Sequence, residues 1–201
     1  KTTTLRCILR LLDELGGAEL CAPTGRAAKR MSEATGRPAR TIHRLLEYAG
    51  EEGRFLRNEQ EPLDTDAVIL DEASMASIPA LWCASYLAES SIVIVGDFLQ
   101  LPPIVMADTP MAQKWLGKDI FYHSGMQERA RNKETCPENF VMLNNQFRME
   151  SNIADIANMY YGAYGGLLSD DNNDFRVKDR EKFYSWYSGK RSKRNVHLID
   201  T

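Results

Sequence analysis

The chain has 201 residues, of which 43% are hydrophobic, 26% charged and 9% aromatic. This composition excludes collagen-like, coiled-coil and disordered chains, and the length fits one domain or slightly more. The 25 Lys and Arg against 28 Asp and Glu give a formal net charge of −3. That charge excludes a polycationic nucleic-acid coat, although it leaves room for a local basic face.

The sequence predicts a cytoplasmic protein with no membrane partner. No apolar run approaches the ~20 residues that span a bilayer, and the first residues show no signal-peptide pattern. The four cysteines, at positions 7, 21, 83 and 136, form no CxxC pair. This scatter argues against zinc and disulfides and for reduced thiols, with Cys21 and Cys83 in the core.

Helix and strand patterns alternate through the first half of the chain. In order they predict a helix over 5–15 stopped by Gly16 and Gly17, a strand over 18–22, a helix over 27–35 ending at Gly36, a short helix over 42–48 capped by Thr41, a polar loop over 50–65, a buried strand over 67–70, a helix over 78–88 and a second buried strand over 91–95. Alternation of this kind predicts an α/β fold with a doubly wound parallel sheet flanked by helices.

The second half has weaker patterns. Residues 104–137 are mixed, and further along we predict a strand over 139–143, a helix over 151–163, an acidic loop over 169–174 and a final strand over 196–200. Residues 175–195 carry eight Lys or Arg against two acids, a net of +6, interleaved with aromatic residues. That composition suits stacking on bases or packing against a partner domain, and we assign no site residue to it.

Two carboxylates end the first buried strand. Asp71 and Glu72 directly follow residues 67–70, and ligands of open α/β sheets bind beyond the carboxyl ends of the strands. One carboxylate can hold a hydrated Mg²⁺ while its neighbour deprotonates a water, as nucleotide hydrolysis requires. An isolated acidic strand end is as often a solvated surface, so the pair alone leaves both interpretations open.

A polar loop follows the second buried strand. Residues 96–103 read GDFLQLPP, and the two prolines would hold the loop in one shape. Gln100 can hydrogen-bond a terminal phosphate without adding charge. A proline-ended turn with an incidental Gln is the alternative, which two polar loops after adjacent strands disfavour.

The chain opens on Lys1 and Thr2, immediately before the first predicted helix. A phosphate-binding loop ends in Gly-Lys-Ser/Thr at a helix N-terminus, and only the last two residues of that motif are present. We expect the Gly-rich half of the loop upstream of residue 1, and the chain to be a fragment of a longer protein.

Four motifs, in family order, resemble those of the superfamily 1 DNA helicases, specifically the RecD-like branch (exodeoxyribonuclease V α-subunit-like). Residues 21–30 (CAPTGRAAKR) and 41–48 (TIHRLLEY) resemble motif Ia, 68–75 (VILDEASM) Walker B, 96–103 motif III, and 143–149 (LNNQFRM) motif IV. The resemblance covers residues 1–105 and 139–165. It implies a P-loop NTPase with a RecA-like parallel sheet: a first RecA-like ATPase domain over 1–138, without the Gly-rich part of Walker A, and the beginning of a second over 139–201.

The resemblance also implies ATP and Mg²⁺ as cofactors. Lys1 would bind the β and γ phosphates. Thr2 and Asp71 would hold Mg²⁺, and Glu72 would be the catalytic base.

Two further catalytic residues are implied. Gln100 would sense the γ phosphate and link the ATP state to domain motion. Arg148 would be the arginine finger, a group worth about 10³–10⁵ in rate in other systems. An ordinary surface arginine is the alternative for Arg148.

The motif Ia region is basic. Residues 22–48 hold six Lys or Arg against two Glu, a net of +4. By the resemblance, Thr24, Gly25 and Arg26, at a strand-to-helix turn, would hold nucleic-acid phosphates without reading sequence. Thr41 and His43 would do the same at the next helix start. A solvated basic helix face is the alternative, and a lone His is as often a packing residue.

Together these motifs predict part of an ATP-dependent DNA helicase that translocates on single-stranded DNA and separates duplexes in recombination or repair. Nuclease-complex or other subunits are candidate protein partners, and the chain alone is expected to be inactive. Two alternatives stay open: an RNA-directed superfamily 1 helicase, and a non-catalytic nucleic-acid-binding or docking module derived from a helicase.

Overall fold

The computed structural model describes residues 2–135 and 137–169. By their contacts, the described residues divide into two compact units, one up to residue 127 and one from residue 128 onward. The boundary expected between residues 138 and 139 stays a prediction. The basic aromatic segment 175–195 and the strand predicted over 196–200 lie outside the described residues.

A four-stranded parallel sheet forms the centre of the first unit. In chain order, the strands of this unit are β1 (Ala18–Ala22), β2 (Ala39–Thr41), β3 (Tyr48–Ala49), β4 (Arg54–Phe55), β5 (Ala67–Leu70) and β6 (Ser91–Ile94). The spatial order in the sheet is β2-β1-β5-β6, and all three pairings are parallel. The two remaining strands, β3 and β4, pair separately as an antiparallel hairpin.

Helices cover both faces of this sheet. In chain order, the helices that begin in the first unit are α1 (Thr2–Asp13), α2 (Gly25–Thr35), α3 (Ile42–Leu45), α4 (Ile78–Leu87), α5 (Pro110–Leu116), α6 (Ile120–His123) and α7 (Met126–Asn132). None of the described helices has the length and apolarity to cross a bilayer. The doubly wound α/β architecture predicted from the alternating patterns is confirmed.

The core lies in two layers because successive strand residues point to opposite faces. On one face, Leu20 and Ile69 pack with Leu5 and Met31 of the helices α1 and α2. On the other face, residues such as Leu70 pack with the side chains of α3 and α4. All four residues of β5 are buried, as the apolar run 67–70 predicted.

The local start and stop signals also hold. Gly36 ends α2 with φ 75°, a left-handed conformation that glycine adopts without a Cβ clash, and its N–H bonds the Ser32 carbonyl. The hydroxyl of Thr41 accepts the Arg44 N–H and caps α3, as predicted. However, α3 is shorter than expected, since Glu47 takes a positive φ of 53° that the helix cannot continue through.

Three predictions on the first unit need correction. The predicted loop over 50–65 includes the second strand of the β3–β4 hairpin. The mixed stretch 104–137 contains the helices α5, α6 and α7, which are too short for periodicity to be detected. The strand β6 is only partly buried, because it lies at the edge of the described sheet and not in its interior.

The second unit is smaller. Its elements after α7 are β7 (Asn145–Gln146), α8 (Ser151–Tyr161) and β8 (Leu168–Ser169), and β7 pairs with β8 in parallel. The helix predicted over 151–163 is confirmed. The strand predicted over 139–143 is wrong: Val141 and Leu143 are exposed, and the described chain offers this stretch no ladder partner, so its apolar residues have neither pairing nor burial.

Candidate nucleotide and nucleic-acid site

The polar loops singled out in the first unit leave the sheet at one edge. The register aligns Ala22 with Thr41, Cys21 with Leu70, and Leu70 with Ile94. Parallel strands end on the same side, so the turns after β1, β2, β5 and β6 meet there. We call this side of the sheet the carboxyl edge. It is where open α/β sheets bind ligands.

Asp71 and Glu72 form the turn that follows β5. The Asp71 N–H donates to the Cys21 carbonyl at 2.9 Å, which extends the β1–β5 pairing by one residue. The Asp71 Oδ1 accepts the Glu72 N–H at 2.8 Å. Both side chains are half-buried. These bonds hold the Asp71 carboxylate at the carboxyl end of β5.

Glu72 has an unusual backbone. Its φ is 55° and its ψ is 39°, the left-handed region that a residue with a Cβ seldom occupies. Such conformations cost of order 1–3 kcal/mol and concentrate at functional sites. The conformation turns the chain directly from β5 into a 3-10 turn at Ala73–Met75. The strain favours a functional site at this strand end over a merely solvated one.

The loop after β6 contains the predicted γ-phosphate sensor. The Asp97 carboxylate accepts the Leu99 N–H at 3.0 Å and the Gln100 Nε2 at 3.0 Å. The Gln100 N–H donates to the Asp97 carbonyl at 3.0 Å. Gln100 is exposed, so its amide can exchange the Asp97 carboxylate for a phosphate oxygen. The fold therefore brings Gln100 to the same edge as Glu72.

The predicted nucleic-acid residues lie at two turns of this edge. Thr24 caps α2 through its hydroxyl, which accepts the Ala27 N–H at 3.2 Å. Gly25 and Arg26 open that helix, and all three are exposed. A helix N-terminus presents N–H groups that suit a phosphate.

The second turn precedes α3. Thr41 caps this helix, with its hydroxyl 3.2 Å from the Arg44 nitrogen. The His43 ring lies against the β3–β4 hairpin, 5.5 Å from the Tyr48 ring and 5.8 Å from the Phe55 ring. His43 is exposed and yet packed against aromatic side chains. The structure is thus compatible with both interpretations of this histidine.

Two of the predicted phosphate and metal ligands lie at the chain start. Lys1 lies outside the described residues. Thr2 is the first residue of α1, where a phosphate-binding hydroxyl would be expected. No group of three or more His, Cys, Asp or Glu within 2–135 and 137–169 could hold a metal ion. A Mg²⁺ ion that arrives with a nucleotide needs only one or two carboxylates, and Asp71 can supply one.

Arg148 lies in the second unit, on an exposed loop after β7. Its N–H and that of Met149 both donate to the Gln146 Oε1, at 3.0 and 2.7 Å. The Gln146 Nε2 donates in turn to the Met149 carbonyl and the Ser169 hydroxyl, each at 2.8 Å. Gln146 therefore fixes the backbone of Arg148, a positioning role that the sequence pattern did not reveal.

Two other residues near the carboxyl edge were missed. The Ser74 hydroxyl, in the 3-10 turn two residues after Glu72, is fully buried and has no hydrogen-bond partner in the described part of the chain. Phe121 of α6 packs against Gly96 and Phe98. No local sequence signal marks Phe121, whereas the glycine after β6 is a sign that something approaches the backbone closely.

Burial raises the pKa of several ionisable side chains, among them Asp119 and Cys21. Burial raises the pKa of the Asp119 carboxyl above its ordinary value, against the lowering effect of hydrogen bonds from Tyr122 and Phe121 backbone N–H groups. Burial, with a contribution from Glu19, raises the pKa of the Cys21 thiol to about 12. Neither group belongs to the nucleotide site, so neither shift points to catalysis.

Comparison with known proteins places the first unit in a described family. A family model described as an AAA domain matches residues 1–106. The ATP-dependent RecD2 DNA helicase of Deinococcus radiodurans is 43% identical over 107 residues, which cover 52% of this chain and 15% of that protein. The RecBCD enzyme subunit RecD of Mycolicibacterium smegmatis is 34% identical over 139 residues, covering 54% of this chain and 25% of that protein. The resemblance to RecD-like superfamily 1 helicases is confirmed.

A solved structure agrees on the fold. The crystal structure of Bacteroides Pif1 bound to ssDNA matches with a TM-score of 0.50 and 17% identity, covering 89% of this chain and 43% of that one. At this identity the likeness supports the RecA-like P-loop fold. The chain thus has the predicted fold and spans only a quarter or less of the two relatives named above.

Proposed function

The chain belongs to the AAA domain family, and we propose that its protein is an ATP-dependent DNA helicase that moves on single-stranded DNA and separates duplexes. Membership of an ATP-dependent helicase family implies ATP use. The single observation that carries the proposal is the convergence of Glu72, Gln100 and the Thr24 turn at the carboxyl edge. One edge can then engage a nucleotide and a strand together, as a motor requires.

The nucleotide is bound and hydrolysed by residues of this edge. Lys1 would neutralise the β and γ phosphates, while Thr2 and Asp71 would hold a Mg²⁺ ion. When bound, that ion would neutralise charge on the phosphate oxygens. Glu72 accepts a proton from the attacking water. The half-buried position of the Glu72 side chain supports this assignment, because a low local dielectric strengthens its interaction with the water.

Gln100 and Arg148 interact with the γ phosphate. The amide of Gln100 leaves the Asp97 carboxylate for the γ phosphate and returns after hydrolysis. The guanidinium of Arg148 neutralises charge on the phosphoryl group in transfer. The anchoring of its loop by Gln146 supports this role, since a finger works only if its backbone is held.

The single strand binds along the exposed turns of the same edge. Thr24, Gly25 and Arg26 hold one phosphate, and Thr41 and His43 hold another. Backbone amides, hydroxyls and one guanidinium contact phosphates without reading bases. This suits a motor, which must step along any sequence.

The domain plan and setting belong to the same proposal. We assign residues 1–138 to a first RecA-like domain and 139–201 to the beginning of a second. ATP binding and hydrolysis would drive the motion of one domain relative to the other. The protein would act in the cytoplasm, in DNA recombination or repair. The mycobacterial relative is named as an enzyme subunit, and co-purification from the native host tests whether this protein also has subunit partners.

ATP hydrolysis by the full-length protein tests the function. We expect turnover to rise strongly when single-stranded DNA is added, and to rise less with RNA of the same length and sequence. Turnover that ignores both nucleic acids, or its complete absence, would refute the motor. Equal or greater stimulation by RNA would reassign the substrate.

A further inference from the structure

The ring of Phe121 occupies the space that a side chain at position 96 would need. A Cβ built on Gly96 would lie 2.8 Å from the Phe121 Cε2 and 3.1 Å from its Cζ. Real Cβ atoms do not approach ring carbons so closely, so only glycine fits at this position. The Phe121 ring also meets the Phe98 ring edge-on, with centroids 6.0 Å apart. Phe121 therefore contacts the loop after β6 at two points.

Phe121 contacts the loop after β6 at the point where this loop meets the turn after β5. These two loops carry Gln100 and Glu72. The Ala73 N–H donates to the Val95 carbonyl at 3.0 Å, and the Val95 N–H donates to the Leu70 carbonyl at 2.8 Å. The same Cβ on Gly96 would lie 3.2 Å from the Ala73 nitrogen. The turn containing Glu72 and the loop containing Gln100 thus touch at Gly96, next to the Phe121 ring.

The helix α6 holds Phe121 firmly in this position. The Asp119 carboxylate caps α6 by accepting the Tyr122 N–H at 2.8 Å. Ile120 and Phe121 pack against the core formed by α3, α4 and one face of the sheet. In addition, α6 contacts the 3-10 turn at Ala73–Met75. The capped helix and these core contacts place the Phe121 ring against the loop after β6.

We propose that Phe121 is a positioning residue for ATP hydrolysis, which keeps the Gln100 loop pressed against the Glu72 turn. The proposal rests on the proposed function, because it assigns Phe121 to the coupling of the catalytic base and the phosphate sensor. Without the ring, the loop after β6 could lift from the turn, and the two side chains would no longer address one phosphate. Displacements of about 1 Å can cost on the order of 100-fold in rate.

The test compares two ways of disturbing this contact with a matched core substitution. Phe121→Leu removes the ring that contacts Gly96 and Phe98. Gly96→Ala places a methyl group against the Phe121 ring. Leu81→Val trims a side chain of the same core on α4, and Leu81 is 5% exposed. All three are made in the full-length protein, and kcat, KM for ATP and melting temperature are measured with saturating oligo-dT.

We expect Phe121→Leu and Gly96→Ala each to lower kcat by about 10- to 100-fold with little change in KM, while Leu81→Val lowers the melting temperature alone. The double variant Gly96→Ala/Phe121→Leu should regain part of the missing kcat, because the smaller side chain leaves space for the methyl group. A core residue without a positioning role would not produce that rescue.

The outcomes separate the two proposals. Suppose that the unsubstituted protein shows DNA-stimulated ATP hydrolysis and that Phe121→Leu and Leu81→Val have the same kcat. The positioning role is then overturned, whereas the proposed helicase function is unaffected. If the unsubstituted protein shows no DNA-stimulated hydrolysis, the proposed function fails and the positioning role fails with it.

Discussion

Ala73 and Val95 join the two loops of the candidate nucleotide site. The Ala73 N–H, one residue after the strained Glu72, donates to the carbonyl of Val95 at 3.0 Å. Val95 is followed by Gly96, where the loop containing Gln100 begins. This backbone bond joins the acidic turn to the start of the sensor loop. Substitutions of the Glu72 or Gln100 side chain leave this backbone bond in place, so they should affect chemistry and leave folding largely intact.

Glu72→Gln should abolish ATP turnover and spare nucleotide binding. The amide has the size of the carboxylate but cannot take a proton, so we expect kcat to fall by about 10²–10⁴-fold, the range for loss of a general base. Steady-state hydrolysis and the affinity for a fluorescent ATP analogue provide the two measurements. Glu51→Gln, on the exposed turn of the hairpin, is the control. Unchanged turnover in Glu72→Gln would remove the mechanism.

Arg148→Ala should lower kcat by about 10³–10⁵-fold if the guanidinium acts as a finger. Arg148→Lys should restore little, because an ammonium lacks the planar fork of donors. Single-turnover hydrolysis with bound DNA measures the chemical step. Arg131→Ala, on an exposed part of α7 in the same unit, controls for the removal of surface charge. Equal rates in the two alanine variants would make Arg148 an ordinary surface residue.

Arg26→Ala should reduce the salt dependence of single-stranded DNA binding. Removing one cation that neutralises a phosphate makes the slope of log K against log salt shallower by about 0.7 for a single strand. Fluorescence anisotropy of a labelled oligo-dT at several salt concentrations gives that slope. Arg10 lies near the other end of α1 from Thr2, away from the carboxyl edge, and its alanine variant should keep the original slope. A common slope for both variants would argue against an interaction between Arg26 and a phosphate.

Asp119 should make stability depend on pH. Its folded pKa lies above the ordinary value of 3.8 because burial penalises the charge. The folded state therefore binds the proton more tightly, and the free energy of unfolding falls as pH rises from about 3.8 toward the folded pKa. Above that pKa the loss of stability is complete and constant.

Two substitutions separate the charge of Asp119 from its capping role. Asn keeps an oxygen that accepts the Tyr122 N–H, so Asp119→Asn should flatten this part of the pH profile without loss of stability at neutral pH. Asp119→Ala removes the cap and should cost about 0.5–2 kcal/mol. Urea unfolding between pH 3 and 7 measures both. A pH profile unaltered by Asn would show that Asp119 does not produce the slope.

The cysteines should differ sharply in reactivity. Cys21 is fully buried with a pKa near 12, so almost no thiolate forms at pH 8. Cys7 is exposed on α1. Brief treatment of the folded protein with iodoacetamide should label Cys7 and leave Cys21 unmodified until denaturant is added, as peptide mass spectrometry would show. Equal labelling of both in the folded state would contradict the buried position of Cys21.

The sequence was sufficient to predict three of the four strands of the sheet and the edge at which the site lies, but it did not reveal β2. Continuous apolar runs predicted β5 and β6, and Asp71 and Glu72 at a strand end indicated the edge. These patterns are local, because strand and helix periodicity reflect which face of a short segment is buried. The same locality explains the error at residues 139–143, where an apolar run found no strand partner in the described chain.

The residues that support that edge could be found only from the packing of distant segments. Phe121 reaches Gly96, and Gln146 holds the backbone of Arg148, through side-chain contacts that no spacing rule encodes. The positive φ of Glu72 likewise follows from how β5 meets the 3-10 turn. The local sequence pattern predicts whether a side chain is buried or exposed. Its partner depends on how distant segments pack, because close packing in three dimensions fixes the contact.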